Sequence, residues 1–174
     1  MKVILGKPPT WRWYSNFLFN TFGYSPKSKE VISIDSWDTW SLDHTVSTIM
    51  VPLLKQLKAT THGCPIVDMC DRPEHLIGTI PKEPHVTDEF WEESWDWVLD
   101  EMIFAHESKL DDWERQFFSG ESDWVFEDGP EGRRYMTEGP NHTLEIDQKG
   151  MKAYQERISN GFRLFGKYYE GLWD

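Results

Sequence analysis

Only two of the 174 residues are cysteine, too few for a disulfide scaffold and in keeping with a reducing compartment. No run of 18 apolar residues occurs, so no helix is expected to span a bilayer. Met1-Lys2-Val3-Ile4-Leu5 is too short for a signal peptide, because Lys7, Pro8 and Pro9 interrupt it at once. Basic residues number 18 against 30 acidic ones, a formal charge of −12, and no basic stripe is long enough to track a nucleic-acid backbone. Neither G-x-S-x-G nor a glycine-rich phosphate loop is present, and neither cysteine has an activating partner beyond His62. The expectation is a chain with no membrane and no nucleic-acid partner, and without a signalled nucleophile.

What is present is aromatic and acidic. Aromatics make up 15% of the chain, ten of them tryptophan, within 39% hydrophobic and 28% charged residues, the composition of a folded protein. A chain of this length buries roughly 70% of its unfolded surface, and one compact domain over residues 1–174 is expected. The charge is uneven. Residues 1–60 hold seven basic and four acidic side chains, 61–148 hold six and 23, and 149–174 hold five and three. The acid excess lies in the middle, and the two ends are slightly basic.

Periodicity predicts a mainly α fold (α+β), with about three long packed helices and a small β-hairpin or short antiparallel sheet. Val3 to Gly6 and Glu30 to Asp35 read as strands, with an aromatic helix between Trp11 and Phe22 that Gly23 ends. Ser41 caps a helix whose apolar stripe is Leu42, Val46, Ile49, Leu53 and Leu57, widened by Met50 and Leu54, with Pro52 inside it. Residues 59–86, with four prolines, read as loop with a short turn of helix near Pro73 to Ile77. Thr87 caps a second helix that buries Trp91, Trp95, Val98, Leu99, Met102 and Ile103 and continues through Leu110, Trp113 and Phe117. Strands at 123–127 and 142–146 flank the turn Asp128-Gly129-Pro130-Glu131-Gly132. A last helix runs from Asp147 toward Trp173, and Gly161 and Gly166 within it suggest close packing on another backbone.

Three constellations carry chemistry. His62-x-Cys64 with Cys70 and Asp68 or Asp71 offers zinc ligands, but at no structural zinc spacing, and two ordinary thiols with a loop histidine read better. Glu92, Asp96 and Asp100 form a row at i, i+4 and i+8. With Glu101 they read alternatively as a Mg2+ site of a nucleotide hydrolase, although a solvated helix face explains them equally. Trp37 and Trp40 lie beside a helix start with His44. Indole faces stack flat rings, and Lys55, Lys58, Arg157, Arg163 and Lys167 could neutralise phosphates if the two termini fold together.

The stretches Trp37 to Thr45, Leu54 to Gly63 and Asn160 to Asp174, with Trp95 to Glu107, resemble a group of uncharacterised tailed-bacteriophage proteins, many of marine phages. The resemblance covers about two thirds of the chain and brings no catalytic residue with it. It implies a counter-defence protein in the cytoplasm of an infected bacterial host, of the kind that sequesters a cyclic or ADP-ribose-type nucleotide signal without cleaving it. The expected ligand is thus small and nucleotide-like, held by the tryptophans, His44 and the five cations, with no cofactor. The alternatives are the metal-dependent hydrolase and an acidic inhibitor that mimics nucleic acid and docks on a basic host enzyme. Trp173, in an aromatic tail, suits a partner subunit, so a homo-oligomer is a further expectation.

Overall fold

The computed structural model describes residues 2–4, 13–22, 31–79 and 86–173. The fold is mainly α with a small β part. The chain divides into two compact units, Met1–Thr45 and Val46–Asp174. In the first, β1 (Lys2–Ile4) pairs antiparallel with β2 (Val31–Ser33), placing Val3 opposite Ile32. The aromatic run becomes α1 (Trp13–Phe22). The expected strand ends at Leu5, Gly6 and Glu30, the Pro8-Pro9 breaker, the start at Trp11 and the stop at Gly23 lie outside the described residues. A 3-10 turn at Ser36–Thr39 follows β2. Asp35 accepts from the Trp37 amide at 3.1 Å, and Asp38 accepts from the Asp35 amide at 2.8 Å, so two acids three positions apart close the turn reciprocally.

The helix α2 (Leu42–Thr60) starts right after Ser41 and runs on through Pro52. Its apolar stripe is corrected by the structure. Leu54 is buried and Met50 and Leu57 pack against the core as expected, but Leu42, Val46 and Leu53 are exposed and Ser47 is buried. One position corresponds to a rotation of about 100°. The cause is Ser47, whose hydroxyl meets His106 Nδ1 at 3.0 Å inside the protein. A buried polar group is tolerated once it is hydrogen-bonded, and a pattern read on polarity alone puts it outside.

In the second unit, α3 (Trp91–Ser108) buries Trp95, Val98, Leu99, Met102, Ile103 and Ala105. Opposite it α4 (Gln148–Lys167) buries Ile158 and Leu164, and Leu54, Val67 and Tyr168 complete the core. Three ends differ from expectation. Phe90, not Thr87, precedes the first turn of α3, because the Asp88 carboxylate accepts from the Phe90 amide at 2.9 Å and from Arg72 Nη1 at 2.8 Å. After Ser108 the chain turns, so Trp113 and Phe117 form a separate 3-10 turn, and Trp113 stacks on Tyr154 of α4 at 5.0 Å and 12°. Asp147 caps α4 by accepting from the Gly150 amide, and the helix stops at Lys167 with a 3-10 turn at Tyr169–Gly171, short of Trp173.

The small β part also differs in its pairing. Two residues, β3 (Phe118–Ser119), pair with β6 (Glu145–Ile146), while β4 (Trp124–Asp128) pairs with β5 (Arg134–Glu138). The strand expected over 142–146 is therefore not the partner of β4. The turn reverses the chain at once: the Gly129 amide donates to the Arg133 carbonyl at 2.7 Å and Gly132 adopts φ +71°. Arg134 thereby lands opposite Asp128, and the hairpin closes before residue 142 is reached.

At the α3–α4 contact a Cβ on Gly161 would lie 2.3 Å from the Glu101 carbonyl oxygen and 2.6 Å from Ala105 Cβ. At Gly166 nothing among the described residues lies within 4 Å, so the expected close packing occurs at Gly161 and not at Gly166. The two positions predict opposite signs in denaturant melts. Gly161→Ala should destabilise by about 1–3 kcal/mol, and Gly166→Ala should stabilise by about 0.5–1 kcal/mol. Equal effects would contradict this packing.

Candidate functional site

Each of the five cations expected to hold phosphate closes on a carboxylate of the same unit. Lys55 Nζ lies 2.6 Å from Glu107, and Lys58 Nζ lies 2.6 Å from Asp100, which joins α2 to α3. Arg157 takes both oxygens of Glu101, with Nε at 3.0 and 3.1 Å and Nη2 at 2.7 Å, and its guanidinium sits 3.8 Å from the centre of the Phe104 ring. The bidentate bond to Glu101 raises the Arg157 pKa further. Arg163 Nη2 reaches Asp71 at 2.7 Å, and Lys167 Nζ reaches Asp71 at 2.5 Å and Asp68 at 2.6 Å. Trp37, Trp40 and His44 belong to the first unit and the five cations to the second.

The buried acid Asp71 organises the last group. Its Oδ2 also accepts from the Tyr168 hydroxyl at 2.7 Å, and that hydroxyl accepts from the Asp68 amide at 2.9 Å. Burial alone would raise the Asp71 carboxyl, but the bonds from Lys167, Tyr168 and Arg163 outweigh it and hold it below the ordinary range. Lys167 is raised by the carboxylates of Asp68 and Asp71. Tyr168 is raised by burial and by its bond to Asp71.

Among the described residues, Asp68, Cys70 and Asp71 bring three ligand atoms within 4.8 Å of one another, and these carboxylates already serve Lys167. Of the row on α3, Glu92, Asp96 and Asp100 are exposed, while Glu101 faces α4 and is spent on Arg157. A cleft of about 250 Å³ opens between the end of α2 and the first turns of α3, lined by Lys58, His62, Cys64, Glu92, Trp95 and Asp96. Burial, then the charges of Glu92 and Asp96, push the Cys64 thiol up, which leaves it protonated and a poor nucleophile at neutral pH.

In the first unit Trp37 and Trp40 are 75% and 82% exposed, with ring centres 6.0 Å apart and planes tilted by 37°. The Asp35 amide holds the Asp38 carboxyl below its ordinary value. His44 is exposed in the first turn of α2. No protein-family model, curated protein or solved structure matches the chain.

Two features were not anticipated. The first is the set of ion pairs, each spanning 42 to 99 residues. Arg163, Lys167 and Tyr168 on one side of α4 and an Asp68-x-x-Asp71 loop are the signal that could have suggested one of them. The second is His106, buried in α3 near-perpendicular to the rings of Phe162 and Phe165, with no partner for Nε2 among the described residues. Burial holds its pKa below 6.5.

The signs of the pH dependence follow. For Asp71 the folded pKa is depressed, so its stabilisation is present above the unfolded value of about 3.9 and is lost as pH falls through the folded value. For His106 the unfolded chain binds a proton that the folded one resists, so stability declines as pH drops below about 6.5. Denaturant midpoints from pH 8 to pH 3 should show both limbs. His106→Gln should flatten the first. Asp71→Asn should flatten the second and cost about 2–3 kcal/mol at pH 7; an unchanged acid limb would contradict the assignment.

Proposed function

We propose that the chain is an acidic, non-catalytic protein-binding inhibitor that occupies a basic surface of another protein, one that otherwise takes nucleic acid. The carrying observation is the internal closure of the five cations on Glu107, Asp100, Glu101, Asp71 and Asp68. Phosphate must displace a carboxylate at each, whereas the exposed face of Glu92, Glu93 and Asp96 projects negative charge outward. Such a field steers basic partners and repels acidic ones. The resemblance to tailed-bacteriophage proteins supports a bacterial host enzyme as the target and the host cytoplasm as the place. No helix among the described residues is long and apolar enough to cross a membrane.

One observation favours a second reading, sequestration of a small nucleotide-like signal. Trp37 and Trp40 present two indoles to solvent beside a helix start, and indole faces stack bases at about 1–3 kcal/mol each. Calorimetry with cyclic nucleotides separates the two: heat that Trp37→Ala abolishes, with ligand recovered intact, would favour sequestration.

The test of the first reading uses the full chain, immobilised and challenged with bacterial lysate. A discrete basic protein should be retained, be released by raised salt, and be lost about tenfold or more from a Glu92→Lys, Glu93→Lys, Asp96→Lys variant. Retention indifferent to both salt and charge reversal would overturn it.

A further inference from the structure

We infer that one face of the β4–β5 hairpin anchors the basic partner, and that this occupant is a protein patch with an apolar pocket ringed by Lys and Arg. The inference rests on the protein-binding reading and locates its contact. Residues directly opposite one another in a hairpin share a face, so Trp124 stands with Glu138, Phe126 with Met136, and Asp128 with Arg134. At the centre Phe126 and Met136 are 66% and 57% exposed, and Trp124 beside them is 42% exposed. Glu138 closes the face at one end, and at the other Asp128 pairs with Arg134 at 3.3 Å. The indole is held before any partner arrives: its N–H donates to Ser122 Oγ at 2.9 Å, and the His142 ring lies edge-on at 4.4 Å.

Of the ten residues in the two strands, all but Thr137 are exposed. Two strands with no covered face lack the apolar cover that a hairpin needs for stability, and a contiguous exposed apolar patch marks a contact surface. Charge selects the occupant. Residues 121–147 carry eight acidic and two basic side chains, so a second copy would meet the same negative field, whereas a basic patch is attracted to it. An aromatic centre inside a charged rim is also how binding energy is distributed in protein interfaces: the centre sets affinity and the rim sets partner choice.

Three synthetic peptides probe this on the full chain, followed by methyl NMR of Met136 and of Met151 on α4. The first has a Leu-Trp core flanked by Arg and Lys, the second has Glu in place of its flanks, and the third has Gly-Ser in place of its core. The first alone should bind, shifting Met136 and leaving Met151 in place. Phe126→Ser and the strand-compatible Met136→Thr should each weaken it at least fivefold. Binding of the first peptide that bypasses Met136, or that survives both variants, overturns the hairpin anchor while the acidic docking reading stands. Equal binding by the Glu peptide overturns both, and no binding by the first overturns the anchor.

Discussion

Asp71 and Arg72 are neighbours in the chain, both buried and oppositely charged, and they reach toward different helices. Asp71 accepts from Arg163, Lys167 and Tyr168 at the end of α4. Arg72 donates twice to the Val67 carbonyl and once to Asp88, just ahead of α3. Desolvating such ions costs several kcal/mol each, and that cost is offset only when every lone pair and proton finds a partner. Here three bonds converge on each side chain. The loop between α2 and α3 is thus placed by polar satisfaction. Val67 then enters the core, and Tyr168 packs edge-on against Trp95 with ring centres 6.1 Å apart.

The same arrangement decides the electrostatic character of the second unit. Cations that in the sequence look available for an anionic ligand are consumed in holding helices and loop together, and each pair cancels one positive charge against one negative. The remaining excess is acidic and outward. Under the protein-binding proposal fold and function share one charge inventory: these five cations hold helices and loop together, and exposed acids such as Glu92, Glu93 and Asp96 are left to meet another molecule.

The legible parts of the fold are those with strong local period. The apolar positions Trp95, Val98, Leu99, Met102 and Ile103 placed α3, because that face meets a dry core. The short turn near Pro73 was legible from its proline, and the structure has it at Glu74–Leu76. What stayed hidden depends on partners far away in sequence. Ser47 points inward only because His106 awaits it 59 residues later. The strand Arg134 to Glu138 has a polar look and no flanking alternation, so it declares itself only once the Gly129–Gly132 turn sets its register. For the candidate site, residue types were readable and allegiances were not, since an arginine carries no local mark of whether it faces a ligand or its own protein's glutamate.

The tip of the hairpin has a consequence of its own. Arg133 and Arg134 follow Gly132, whose left-handed backbone forms the tip, and both side chains are exposed. Exposed tips of this kind are where trypsin-like enzymes nick folded chains. The bond between the two arginines is therefore a point at which such an enzyme would sever the turn. If the hairpin docks as proposed, a bound partner would shield it, and the rate of nicking would gauge how often the hairpin is occupied.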